Sequence, residues 1–191
     1  ILYGRKIQKD EFDSFRDPKV NKLLNDPNNL IDMDVAVKRI VTSMIEKKKI
    51  GIIGDYDVDG TTSASLLTNF LIHYGIDTDV YIPNRLKDGY GPNIKAFNQF
   101  IDNGIDTVIT VDCGSTAIQA LEYAFNKDIN VIIIDHHKVD HNLPQCFAHI
   151  NPTRDDDKSE LNHLAAVGLT FSFIIALRRK LREIKQFNHI S

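Results

Sequence analysis

The chain has 191 residues, 42% of them hydrophobic and 26% charged, which is the composition of a soluble globular domain with a buried core. Its formal net charge is −3, whereas proteins that hold nucleic acid by neutralising phosphates are usually basic, so the chain as a whole is a poor general binder of nucleic acid. No apolar run approaches the length of a membrane span. The two cysteines, Cys113 and Cys146, lack metal-finger spacing and are predicted to be buried thiols in a reducing compartment.

The N-terminal segment is predicted to be an irregular arm with short helical pieces. Asp17-Pro18 and Asp26-Pro27 interrupt any helical pattern there, because the residue before a proline is disfavoured in a helix. Asp34 is then a candidate N-cap for a longer helix, since apolar residues after it recur on one helical face. These apolar residues are Val37, Ile40, Val41, Met44 and Ile45.

Strand-like and helix-like segments alternate through the rest of the chain. The predicted strands are 50–54, 79–82, 106–111, 131–134 and 147–150, and the predicted helices are 61–74, 92–103, 115–126 and 161–184. In the helix over 115–126 we expect Ala117, Ile118, Leu121 and Phe125 to face inward. Such alternation predicts an α/β fold, a mostly parallel sheet with helices on both faces.

Acidic and imidazole side chains follow three of the predicted strands directly. Asp55, Asp57 and Asp59 follow the first strand on alternate residues, and three carboxylates this close repel one another unless a cation lies between them. Asp112 follows the third strand, and Asp135-His136-His137 follows the fourth. Because ligands of parallel sheets collect at the carboxyl ends of the strands, this pattern predicts a metal site.

Two familiar motifs are close to the first acidic segment but do not fit it. Asp55, Asp57, Asp59 and Gly60 match the opening of a calcium-binding EF-hand loop, yet its twelfth position is Leu66 instead of a bidentate Glu, and a strand precedes it. A dinucleotide-binding reading lacks the glycine motif after the first strand, and carboxylates there would repel a pyrophosphate.

Each acidic or imidazole position also has an ordinary structural explanation. Asp112 could be the N-cap of the following helix, and His136 and His137 could be two hydrogen-bonded turn residues. The coincidence of all three strand ends favours the metal site. Carboxylates with imidazole and no thiolate favour Mn²⁺ or Mg²⁺. Arg85, in the loop after the second strand, is a candidate phosphate ligand, although a surface ion pair is nearly as good an explanation.

The sequence resembles the DHH phosphoesterase superfamily. Its first three motifs are matched by Gly54–Gly60, Val111–Gly114 and Asp135–His137. The RecJ-like branch, exonucleases that digest single-stranded DNA from the 5′ end, is further indicated by Tyr81–Arg85, Gly89–Asn93 and Asp32–Asp34.

This resemblance implies a two-metal site that uses Mn²⁺ or Mg²⁺. Its metal ligands would be Asp57, Asp59, Asp112 and His136, with Asp112 bridging and Asp55 nearby or auxiliary. His137 would face the scissile phosphate, with Asp112 sharing in catalysis. Arg85, Tyr90 and Asn151 would lie on the substrate side. The implied reaction is hydrolysis of a phosphodiester by a metal-activated water, releasing 5′-nucleotides.

The resemblance also sets expectations for the whole protein. We expect a helical arm over 1–33 and a DHH catalytic lobe over 34–191. The family's fourth motif supplies a further Asp, but no Asp follows Asp157. We therefore expect the lobe to end before that motif and to lack the second lobe. The implied partners are single-stranded DNA and repair proteins such as a helicase or a single-strand-binding protein, in the bacterial cytoplasm. Open alternatives are another DHH phosphoesterase (a nano-RNase, a cyclic-dinucleotide phosphodiesterase or a pyrophosphatase) and a non-catalytic metal- or nucleotide-binding module.

Overall fold

A computed structural model describes residues 3–20, 24–139 and 142–187. Within these ranges the chain forms six α-helices, five strands and three short 3-10 helices. The strands are β1 (Ile50–Gly54), β2 (Thr78–Tyr81), β3 (Thr107–Val111), β4 (Asn130–Ile134) and β5 (Ala148–Ile150). The helices are α1 (Phe12–Arg16), α2 (Met33–Ile45), α3 (Val58–His73), α4 (Ile94–Asp102), α5 (Ile118–Phe125) and α6 (Ala166–Glu183).

The five strands form one parallel sheet in the order β2-β1-β3-β4-β5. Its register aligns the last residues of four neighbouring strands, which are Gly54, Val111, Ile134 and Ile150. The next residue of each strand therefore emerges at the same edge of the sheet. The side chains that emerge there are those of Asp55, Asp112, Asp135 and Asn151.

Two hydrophobic cores lie on opposite faces of the sheet. Alternate residues of the central strands point to each face, since successive side chains of a strand alternate. Ile52 and Ile109 pack with α2, α3 and α6 on one face, whereas Ile53 and Val108 pack with α4 and α5 on the other. Every residue of β1 and β3 is buried, as expected for strands of a covered parallel sheet. The predicted α/β fold is confirmed.

The boundaries of three helices correct the prediction as follows. The helix predicted from Asp34 begins at Met33 after Asp32, and Asp34 instead pairs with Lys38 on its surface. The second helix begins at Val58, earlier than residue 61, because the Asp57 carboxylate accepts a hydrogen bond from the Gly60 amide. The last helix begins at Ala166, later than residue 161.

The prediction of which side chains face inward near α5 is confirmed for Leu121 and for Ala117, which packs against the core, but it is wrong for Ile118 and Phe125. Leu121 and Ala124 are buried, whereas Ile118 and Phe125 are 43% and 50% exposed. The helix is shorter than predicted and starts at Ile118.

Among its described residues, the N-terminal arm contacts the core near its end. Phe12 of α1 is partly buried and the other α1 side chains are exposed, whereas Pro27 and Leu30 are buried and Leu30 packs in the core with residues of α2 and α6. Within the described residues, no helix has the length and apolar character needed to cross a membrane. Cys113 is buried, Cys146 is partly buried and both are free thiols.

Two helical glycines form a matched pair that tests the packing below α3. A methyl group at Gly60 would lie 2.5 Å from both the N and O atoms of Asp55, whereas one at Gly168 would meet Leu164 at 3.5 Å, an ordinary contact. We expect Gly60→Ala to lower the free energy of unfolding by about 1–3 kcal/mol, because the backbone of the acidic segment must move. Gly168→Ala should instead raise it by up to about 1 kcal/mol through helix propensity.

Urea denaturation of both variants measures the difference. Equal changes of the same sign in the two variants would contradict the close packing of Gly60 against Asp55.

Candidate metal centre

The first acidic segment turns directly from β1 into α3. Asp55 is buried, and its Oδ1 atom has no hydrogen-bond partner among the described residues. Asp57 is exposed and uses its Oδ1 atom to cap α3 through the Gly60 amide at 2.9 Å. The close approach of Gly60 to the Asp55 backbone makes this tight turn possible. Two carboxylates are thereby brought to the sheet edge on one short loop.

Asp112 lies at the centre of the cluster in a strained conformation. Its φ angle is 61°, in the left-handed region that non-glycine residues rarely adopt. Its amide still donates to the Ile134 carbonyl at 2.9 Å, and its own carbonyl accepts from the Tyr90 hydroxyl at 3.1 Å. The carboxylate is buried, and Oδ1 has no hydrogen-bond partner within the described ranges, although His136 Nε2 lies 3.2 Å from it. The N-cap explanation for Asp112 is wrong, because Ala117 precedes α5.

Asp135 holds the two histidines that follow it. Its Oδ1 atom accepts hydrogen bonds from the backbone amides of His136 and His137, at 2.8 and 3.2 Å. The same atom lies 2.7 Å from His137 Nδ1, while Oδ2 accepts from the Ser115 amide. Asp135 therefore fixes the orientation of the His137 ring and leaves Nε2 as the ring nitrogen away from this carboxylate.

Two groups of three potential metal ligands meet at Asp112. One consists of Asp55, Asp57 and Asp112, and the other of Asp112, His136 and His137. Within each group, the ligand atoms lie within 4.8 Å of one another. Oxygen and imidazole donors suit hard or borderline divalent cations, and the unpaired Oδ1 atoms of Asp55 and Asp112 are free to bind one. The residues therefore fit the metal ions that the sequence predicts.

The electrostatics of the cluster follow from burial and like charge. Burial, followed by the charges of Asp59 and Asp57, raises the pKa of Asp112 to about 8. Burial also raises the pKa of Asp55. The pKa of His137 is raised to about 9, mainly by its hydrogen bond to Asp135. Burial alone would raise the pKa of Asp135, but hydrogen bonds from His137 and Ser115 outweigh it and hold the value at about 2.

Asp59 has a different set of contacts from the other carboxylates. Its two oxygens accept hydrogen bonds from the amides of Ala166 and Val167, at 2.7 and 2.8 Å. These are the first amides of α6, so Asp59 caps that helix and explains why α6 begins at Ala166. His136 Nε2 lies 3.6 Å from Asp59 Oδ2, so Asp59 is within reach of the cluster while it connects α6 to the acidic loop.

The three residues expected on the substrate side lie in different environments. Arg85 is exposed, with its guanidinium carbon 5.5 Å from the centre of the Tyr56 ring. The Tyr90 hydroxyl is 3.4 Å from His137 Nδ1, in addition to its bond to Asp112. Asn151 is fully buried, and its amide donates to the His137 carbonyl at 2.9 Å. Asn151 thus lies beneath the histidine loop in this structure.

A buried polar network behind His137 was not predicted from the sequence. Ser115 Oγ lies 2.9 Å from His149 Nε2 and accepts from Asn151 Nδ2 at 3.0 Å. The His149 amide donates to Asp32, and Arg154 bonds both Asp32 and the His149 carbonyl. Asn151 was singled out by the family resemblance, as a residue of the substrate side, whereas Ser115 and Arg154 lie in loops whose paths the sequence pattern does not specify.

These observations define an α/β domain with a candidate divalent-metal centre at the carboxyl edge of a parallel sheet. Residues 49–190 match the family described as the DHH family, N-terminal domain. This match covers more than half of the chain, and the chain therefore belongs to the DHH family.

Relatives and solved structures agree with this assignment. The chain is 37% identical over 156 residues to the single-stranded-DNA-specific exonuclease RecJ of Bacillus subtilis, covering 82% of this chain and 20% of that protein. It is 34% identical over 172 residues to RecJ of Haemophilus influenzae, covering 90% of this chain and 30% of that protein. The chain thus spans less than a third of these curated relatives.

Two crystal structures of RecJ share the fold. An exonuclease RecJ bound to manganese superimposes with a TM-score of 0.72 at 29% identity, over 80% of this chain and 38% of that one. RecJ from Thermus thermophilus, in complex with Mn²⁺, gives a TM-score of 0.73 at 24% identity, over 95% of this chain and 24% of that one. The latter comparison supports the fold alone.

The buried network predicts how stability depends on pH. Burial, followed by the charge of Arg154, lowers the pKa of His149 from 6.5 to about 4. As the pH falls from 6.5 to 4, His149 becomes protonated in the unfolded chain but stays neutral in the folded protein. The free energy of unfolding therefore falls by roughly 3 kcal/mol at most. We expect His149→Gln to flatten this dependence, measured by urea denaturation at several pH values.

His73→Gln serves as the control, because His73 is an exposed histidine on α3. The same slope in wild type and His149→Gln between pH 4 and 6.5 would contradict a neutral, buried His149.

Proposed function

We propose that this protein is a metal-dependent phosphodiester hydrolase that removes nucleotides from the 5′ end of single-stranded DNA. The observation that carries the proposal is the sharing of Asp112 between two groups of metal-ligating residues. A carboxylate common to two sites is suited to hold a pair of divalent ions, which is the arrangement used for in-line displacement at phosphorus. The RecJ resemblance extends the proposal to a role in DNA repair and recombination.

The metal ions would be Mn²⁺ or Mg²⁺. Asp55, Asp57 and Asp112 would hold one, and Asp112 and His136 would contribute to the other, with Asp59 in reach. Support comes from the RecJ structure bound to manganese, which is 29% identical to this chain. When bound, such ions lower the pKa of a water molecule and neutralise charge on the phosphate.

His137 is proposed to contact the reacting phosphodiester. Its hydrogen bond to Asp135 raises its pKa to about 9, so the ring is protonated at neutral pH. A protonated imidazole can donate a hydrogen bond to a phosphate oxygen or a proton to the leaving oxygen. Asp135 and Asn151 keep the histidine loop in place from below, through the His137 ring and carbonyl.

Arg85 is proposed to attract the phosphates of the incoming strand. Tyr56 is located between Asp55 and Asp57 in the acidic loop, and its ring lies below the Arg85 guanidinium. No ion pair involves Arg85 within the described residues, so its charge is available. An arginine can bind a phosphate through two parallel hydrogen bonds. This would supply locally the positive charge that the chain as a whole lacks.

The metal ligands give the first test. We expect Asp112→Ala and His136→Ala each to lower Mn²⁺-dependent nucleotide release from 5′-phosphorylated single-stranded DNA by at least about 100-fold, because the two-metal site loses a ligand. Their circular dichroism should match that of the wild type. Ser65→Ala, at an exposed position on α3, is the control and should retain full activity.

Near-wild-type release by either ligand variant would contradict the two-metal assignment. Cleavage of dinucleotides without cleavage of longer DNA would favour a different DHH phosphoesterase. No turnover of any phosphodiester would favour a binding module.

A pair of loop variants tests the role of Arg85. Arg85→Ala should raise KM for 5′-phosphorylated DNA by about tenfold, since a bond to a charged group contributes roughly 1.5–3 kcal/mol. Lys87→Ala removes the same charge from an exposed position of the same loop, and its KM should change by less than about twofold. Equal increases of KM in the two variants would contradict a specific contact between Arg85 and phosphate, because loss of net charge alone would then explain both.

A further inference from the structure

A groove opens beside the metal centre between residues 88–94 and the start of α5. Its volume is about 740 Å³, within the range of roughly 300–1,000 Å³ that is usual for small-molecule sites. Tyr90 and Ile94 line one side, and Ile118 and Gln119 line the other. The proposed metal binding and hydrolysis do not use the groove itself.

Tyr90 forms the boundary between the groove and the metal centre. Its hydroxyl bonds the Asp112 carbonyl at 3.1 Å and lies 3.4 Å from His137 Nδ1, while the same residue lines the groove. Gly114, two residues after Asp112, also lines it. A polymer with one phosphate at the metal centre would therefore pass next to this groove.

The charge of the groove argues against a phosphate as its occupant. Asp88 is the only charged side chain among the residues that line it. Its carboxylate is already engaged, because it accepts hydrogen bonds from Lys95 at 3.0 Å and from the Asn84 amide at 3.0 Å. The remaining surface is uncharged, which suits the neutral part of a nucleotide better than its phosphate.

The groove offers both apolar surface and hydrogen-bond donors. Ile94 and Ile118 are 47% and 43% exposed, although both are large aliphatic residues. No side chain caps the start of α5. The first amide that donates to a carbonyl four residues earlier is that of Leu121, which bonds the Ala117 carbonyl. Among the described residues, the amides of Gln119 and Ala120 therefore have no acceptor. A flat heterocycle with carbonyl oxygens at its edge would match these features.

We propose that this groove binds a nucleobase of the DNA strand whose phosphate is held at the metal centre. The inference rests on the proposed exonuclease function and adds a subsite to it. The apolar side chains of Ile94 and Ile118 contact the faces of the base, and Gln119 contacts its polar edge. Such contacts tolerate any base but require that the base is accessible, so the subsite favours unpaired strands over duplexes, in which the bases are stacked and paired.

The test combines protein variants with abasic DNA. Affinity is measured by fluorescence anisotropy for 5′-phosphorylated, phosphorothioate-linked oligothymidylate in Mn²⁺, with the base removed at each of the first four positions in turn. At one position we expect base removal to weaken binding to the wild type by about tenfold, the scale of one stacked base. Ile118→Ala should weaken binding of intact DNA similarly and make base removal at that position nearly without effect.

A matched control and a photocrosslink locate the effect. Ile72→Ala removes another exposed isoleucine from α3, outside the groove, and should leave both affinities unchanged. A strand with 5-iododeoxyuridine at the sensitive position should crosslink to Tyr90 or to the start of α5. Independent, multiplicative effects of Ile118→Ala and base removal, or crosslinks elsewhere, would overturn the subsite while leaving the exonuclease proposal intact.

Failure of the proposed function would look different. If no single-stranded DNA binds or is cleaved, while bis(4-nitrophenyl) phosphate is hydrolysed with Mn²⁺, both the exonuclease proposal and the base subsite are wrong.

Discussion

Repulsion between carboxylates at one edge of the sheet is the constraint on which the rest of the site depends. Asp55 and Asp112 are buried, each with an Oδ1 atom that has no hydrogen-bond partner in the described part of the chain, and Asp57 lies in the same group of potential ligands. Burying such groups without a counter-ion is costly, because burial and the neighbouring carboxylates raise the pKa of Asp112 to about 8. A divalent cation would reverse this cost, which explains why a stable fold keeps such an arrangement.

The sheet determines the geometry of this cluster. Parallel register places Gly54, Val111 and Ile134 side by side, so the acidic residues after them share one edge. These acidic residues then differ in the hydrogen bonds that they make. Asp57 caps α3 and Asp59 caps α6, so the loop that carries the ligands also anchors two helices of the same core. If these carboxylates bind a metal ion as proposed, metal binding and helix packing are coupled through the same acidic segment.

The sequence predicted the strands and the acidic edge because both depend on local patterns. Apolar runs that end in Asp are visible in the chain, and parallel topology brings their ends together. Contacts distant in sequence could not be predicted in this way. Nothing near Asp59 indicates that it caps a helix beginning at Ala166, and the burial of Asn151 under His137 depends on the path of a loop. Ile118 was expected inside because helical periodicity alone does not show that Leu121 and Ala124 are the residues that the core covers.

The most direct test of the central claim is the binding of Mn²⁺ to the protein, measured by the electron paramagnetic resonance signal of free Mn²⁺ during titration. Asp112→Asn keeps the shape of the side chain and removes its charge, which makes it the sharpest comparison. The two-metal account predicts saturable binding by the wild type and a loss of affinity of at least about tenfold in Asp112→Asn. Absence of binding to the wild type, or unchanged affinity in Asp112→Asn, would contradict it.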